Sequence, residues 1–152
     1  MSLGKPPRLD DVFQKYDPPV YFVTLCTNHR QKILANNAVH SALLEYGRRA
    51  EARGIALGRY VIMPDHIHLF VAGDVEFDLG IWVRGLKRVV AAAVTGGRKQ
   101  LWQRGFFDHL IRNSESYSEK WDYVRQNPVR AGLVSDADEW RFQGEIVLVE
   151  HS

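Results

Sequence analysis

Apolar and polar positions along this 152-residue chain repeat first with one period and then with another, and the switches divide it into elements. Residues 20–27, VYFVTLCT, are β-branched and aromatic and predict a buried strand. Asn36–Asn37 opens a helical pattern to about Arg53, with Val39, Leu43, Leu44, Tyr46 and Ala50 on one face and Gly54 as its stop. Two strands follow, from about Ala56 to Met63 and His66 to Val71. The Pro64–Asp65 break between them is so short that they must be antiparallel neighbours. Helical spacing returns over 77–95 through Leu79, Trp82, Val83, Leu86, Val89, Val90 and Ala93. A strand is expected over Phe106–Arg112. Asn113–Ser114 then caps a helix from about Glu115 to Gln126, which Pro128 ends. The tail has strand propensity at Glu145–Val149, with no evident place.

The order strand, helix, strand, strand, helix, strand is that of a ferredoxin-like split βαβ sandwich, an α+β fold. It predicts a central four-stranded antiparallel sheet with both helices on one face and the other face free for a site. One helix is appended at the C-terminal side. Residues 1–19, with Pro6, Pro7, Pro18 and Pro19, read as an arm, 20–134 as the domain, and 135–152 as an extension packed on it.

Charge changes this picture only through its distribution. The net charge is +2, yet residues 81–130 hold ten bases against Asp108, Glu115, Glu119 and Asp122. That imbalance suits a phosphate-bearing partner, and equally a solvated basic half. The single cysteine, Cys26, reads as a small buried residue and excludes an intramolecular disulfide or a multi-cysteine zinc site. No apolar run approaches the ~18–20 residues of a membrane span, and no signal peptide is evident, so a cytoplasmic protein without a membrane partner is expected.

Chemistry enters at MPDHIHLF. Side chains alternate on a strand, so His66, His68 and Phe70 share one face and Ile67, Leu69 and Val71 the other. Two imidazoles so placed can converge on one divalent ion, but they leave its shell incomplete. Asp65 is one candidate third ligand, although its place at the turn should point it away from the histidines. Downstream, Tyr123 and Asn127 lie four apart, on one helix face. A phenol, with its free pKa of about 10, attacks phosphorus only once its proton can leave, and a nearby divalent ion eases that reaction. Taken alone, the pair fits an amphipathic-helix tyrosine and a C-capping amide better.

The blocks PDHIHLF, WQRGFFDHLIR and YVRQNPVRAGLV, in that order, resemble the single-tyrosine HUH transposases of the IS200-like family, in particular their REP-associated branch. The resemblance runs from about Tyr21 to Val134. It implies His66 and His68 as metal ligands, Tyr123 as nucleophile, and Asn127 as the polar ligand one turn on. Many relatives carry Gln there, so Gln126 is the fallback. It further implies Mg²⁺ or Mn²⁺, single-stranded or hairpin DNA as partner, and cleavage through a 5′-phosphotyrosine link that releases a 3′-hydroxyl. The alternatives are a hairpin-binding protein with a degenerate site, and a small-molecule metallohydrolase using His66, His68 and Asp65. A monomer is expected over a homodimer.

For gripping DNA, Arg84, Lys87 and Arg88 form a basic stripe at i, i+3, i+4, with Arg98, Lys99 and Arg104 near in sequence. Arg112 and Arg30 are weaker candidates. Trp102, Phe106 and Phe107 suit either base stacking or the core, and one of the two phenylalanines must point inward. Tyr117, six residues before Tyr123, lies about 120° round the helix from it, and Tyr21 and Tyr60 read as core. Asp108 and His109 receive no role.

Overall fold

The computed structural model describes residues 20–74, 76–94 and 100–147. The expected arm, residues 1–19, and the basic pair Arg98 and Lys99 lie outside them. Strands β1 (Val20–Cys26), β2 (Ala56–Ile62), β3 (His66–Ala72) and β4 (Phe107–Ile111) alternate with helices α1 (Asn37–Glu51) and α2 (Leu79–Ala93) in the order read above. Each main helix opens on a side-chain cap. Asn36 accepts from the Val39 N–H at 2.9 Å and Asp78 from Ile81 at 3.0 Å. Asn113 accepts from Ser116 at 2.8 Å at the start of α3 (Ser114–Val124).

The sheet runs β4-β1-β3-β2-β5, with every pair antiparallel. Its first four strands have the ferredoxin-like arrangement, and β5 (Gln143–Glu145) is a fifth, which the expectation of four strands lacked. The tail supplies it: Gln143 pairs with Val61 and Glu145 with Arg59, and the Val147 N–H bonds to the Leu57 carbonyl at 3.0 Å. An outer edge of β2 that would otherwise present unpaired amides is thereby covered. The strand propensity of Glu145–Val149 thus finds its place two residues early, and its last two residues fall outside the described set.

The two faces of the sheet bury different sets. Val23, Leu25, Ile67, Leu69 and Val71 pack beneath Val39, Leu43 and Ala50 of α1 and Trp82, Leu86 and Val90 of α2. On the other face Val20, Phe22, Val61 and Phe70 meet Tyr117, Trp121 and Val124 of α3. The expectation of a free second face is corrected: α3 roofs it over Phe70, leaving the His66–His68 end of β3 half-exposed. Nor does one helix run to Gln126. It stops at Val124, turns through Arg125–Gln126, and resumes as α4 (Asn127–Arg130), whose buried Pro128 sits in the first turn, where no amide hydrogen is needed. Proline here starts a helical turn as well as ending one.

Candidate active site

The central strand β3 holds His66 and His68 with ring centroids 4.7 Å apart and planes near perpendicular. Directly opposite His68 on β1 stands Thr24, whose Oγ1 is 2.8 Å from His68 Nδ1. The other side of the His68 ring stacks on Phe22 at 5.2 Å. Burial, followed by the positive neighbours His66, Lys120, Arg130 and Arg30, pulls the His68 pKa down to about 3, so this imidazole is neutral at ordinary pH. Neutral imidazole is the metal-binding form.

His66 is anchored differently. Its Nδ1 is 2.7 Å from Asp65 Oδ1, and Asp65 Oδ2 accepts from Arg30 Nε at 2.9 Å. Burial raises the Asp65 pKa, but hydrogen bonds from His66 and Arg30 outweigh it and hold the carboxyl below its usual range. An ionised carboxylate only accepts, so His66 Nδ1 carries the hydrogen, and in the neutral ring the free lone pair is then on Nε2. The Asp65 side chain therefore turns toward the histidines, contrary to expectation. It precedes the strand, in a bend where alternation of faces does not apply.

Helix α3 brings the remaining groups to this face through Tyr117, Trp121 and Val124. Tyr117 is itself buried, its hydroxyl accepting from the Arg59 N–H, so it stands apart from the site as expected. Tyr123 is 63% exposed, with the Arg130 guanidinium carbon 4.0 Å from its ring centre. The same guanidinium donates to Asn127 Oδ1. Arg130 thus ties the phenol and the amide together across the turn that separates α3 from α4, where the sequence suggested one continuous helix face. Gln126 is half-exposed in that turn. Lys120, one helical turn before Tyr123, has its ammonium 4.9 Å from the centre of the Phe22 ring that stacks on His68. Lys120 on α3 and Arg130 on α4 both contribute to the lowering of the His68 pKa.

The two imidazoles side by side on one strand fit a divalent ion that keeps open positions for further ligands and substrate oxygens. Among the described residues no group of three His, Cys, Asp or Glu is placed to hold a metal ion, at the histidine pair or elsewhere. Cys26 is half-buried rather than buried, paired in register with His66.

The basic candidates are dispersed. Arg84, Lys87 and Arg88 ride on α2, across the sheet from the histidines. Arg84 and Arg88 are exposed. The Lys87 ammonium is engaged, donating to the carbonyls of Gln103 and Gly105. Arg104 and Arg112 are exposed at the two ends of the segment that carries β4. Trp102 donates to the Lys87 carbonyl at 3.0 Å and, with Phe106, packs against the main core. Phe107 is the outward phenylalanine, 67% exposed and level with Thr24 on the histidine face.

Residues 19–127 match the model of the family described as Transposase IS200 like. The chain belongs to that family. An IS200-like relative, the REP-associated tyrosine transposase of Escherichia coli (strain K12), is 27% identical over 125 residues, which are 80% of this chain and 73% of that protein. The solved structure of a REP-associated tyrosine transposase bound to a REP hairpin matches with a TM-score of 0.71 at 25% identity. The match covers 94% of this chain and 82% of that one.

Sequence reasoning did not single out Thr24, Lys120 and Arg130 as neighbours of His68 or Tyr123. Register would have found Thr24, and helical spacing from Tyr123 and Asn127 the other two. Arg30, taken only as a weak DNA contact, had no such signal.

Proposed function

We propose that this chain is a metal-dependent endonuclease and strand transferase for single-stranded or hairpin DNA, with Tyr123 as its nucleophile. One observation carries the reading: both histidines of β3 have Nδ1 engaged by a neighbour, on the sheet face that also carries the tyrosine helix. His66 and His68 through Nε2, and Asn127 through its amide oxygen, would hold Mg²⁺ or Mn²⁺. When bound, that ion supplies positive charge to a phosphate oxygen.

The Tyr123 oxygen attacks the scissile phosphorus and loses its proton. The bond from phosphorus to the 3′-oxygen breaks, and that oxygen leaves as a hydroxyl after taking up a proton. The 5′ end of the downstream strand stays on the tyrosine. Arg130 fixes the phenol ring and the amide relative to each other, and Lys120 adds positive charge beside the histidines. Packing of α3 on the sheet of its own chain supports a monomer that acts in cis.

With Mn²⁺ and a panel of 3′-labelled hairpin oligonucleotides, the wild type should form a labelled protein–DNA adduct that survives denaturation. Tyr123→Phe should form none and still bind DNA. A normal adduct from Tyr123→Phe would remove the nucleophile assignment. Tight, salt-sensitive binding with no cleavage by the wild type would make the chain a hairpin-binding protein instead.

A further inference from the structure

Two loops are bound together beside His66. Thr27, fully buried, donates its N–H to the Asp65 carbonyl at 3.0 Å. Its hydroxyl lies 2.9 Å from the Gln31 carbonyl and 3.2 Å from that of Asp65. Gln31 Nε2 donates back to the Asn28 carbonyl, and the Leu34 N–H to that of Pro64. Inside this frame His29 and Arg30 have φ of 58° and 51°, two successive non-glycine residues in the left-handed region. Such conformations persist only where the surroundings enforce them. Their result is to deliver the Arg30 guanidinium to Asp65, with Arg30 Nη2 3.3 Å from His66 Nδ1.

An ordinary surface ion pair would leave one carboxylate oxygen to water. Here one oxygen of Asp65 is committed to Arg30 and the other to His66. We propose that Asp65, fixed by Arg30 on the left-handed turn, is a positioning residue that locks His66 in the Nδ1–H tautomer and aims its bare Nε2 at the metal position. The inference rests on the metal reading above. A carboxylate behind a ligating imidazole fixes its orientation and raises its basicity, and loss of such a partner typically weakens metal binding about 10–100-fold.

The test uses the full chain at pH 8 and follows Mn²⁺ affinity by calorimetry or by the free-ion electron paramagnetic resonance signal. Asp65→Ala should weaken binding about 10–100-fold. Arg30→Ala should weaken it less, because the carboxylate remains. Asp65→Asn, which keeps an acceptor for Nδ1–H, should fall between wild type and Asp65→Ala, and it serves if the alanine variant fails to fold. Long-range ¹H–¹⁵N spectra of the metal-free protein should show His66 as the Nδ1–H tautomer in the wild type and as a mixture in Asp65→Ala. Affinity of both Asp65 variants within twofold of wild type, or an Nε2–H tautomer in the wild type, overturns the proposal. A wild type that binds no Mn²⁺ overturns the metal reading, and the tautomer spectra then still decide whether Asp65 sets the ring.

Discussion

His66 and His68 are two residues apart in sequence and live in different surroundings. The first leans on a carboxylate and the second on a hydroxyl and a phenyl ring. Their placement on one strand face was legible, because the alternation IHLFV commits Ile67 and Leu69 to the core. Their second partners were not. Thr24 depends on the pairing register and Arg30 on a backbone conformation that no side-chain pattern encodes. The depressed pKa of His68 has a consequence for stability. Between about 6.5, the ordinary value, and about 3, the unfolded chain takes up a proton that the folded one refuses. Stability should therefore fall as pH drops through that window. Thermal melts in chelator should show a shallower acid limb for His68→Phe than for wild type, and identical limbs would contradict it.

At the scale of elements, the helices and inner strands were readable from period and caps alone. The β5 segment was not, since QGE acquires strand character only by pairing with β2. The break between α3 and α4 was half-legible: Pro128 announced an interruption but not that helix would resume around it. The stripe on α2 shows the limit of spacing as a guide to binding. Lys87 sits between Arg84 and Arg88 in the pattern, but its ammonium fastens the 103–105 segment to α2. Burial lowers its pKa. Hydrogen bonds from a charged donor are worth about 1.5–3 kcal/mol when well formed, so Lys87→Met should destabilise the fold by about 1–3 kcal/mol in urea titrations. It should leave the salt dependence of DNA binding unchanged. Loss of a phosphate contact would instead lower that slope by about one, the result expected for Arg84→Ala or Arg88→Ala if α2 touches DNA.

Taken as a whole, the molecule is a ferredoxin-like sandwich closed at one edge by its own tail. Residues 135–147 place Phe142 in the main core, bond the Trp140 indole to the Ile62 carbonyl, and pair Arg125, just past α3, with Asp138. Removing a buried large aromatic costs about 3–5 kcal/mol, against a total stability of about 5–15 kcal/mol for a domain. A chain ending at Val134 should thus be marginal or unfolded at 37 °C, with the bared β2 edge prone to association. Differential scanning calorimetry and light scattering would show it, and an unchanged melt would mean that the tail merely decorates the sheet.

Only Arg112 and Asn113 separate the end of β4 from the first residue of α3. The three Cα–Cα steps from Ile111 to Ser114 span at most about 11 Å. That is a tether too short to carry the tyrosine helix to another molecule unless β4, a strand paired with β1 over five residues, leaves with it. On the reading proposed above, nucleophile and ion would then be supplied by one polypeptide. Such a site obeys first-order arithmetic: the specific cleavage rate should hold constant as the protein is diluted.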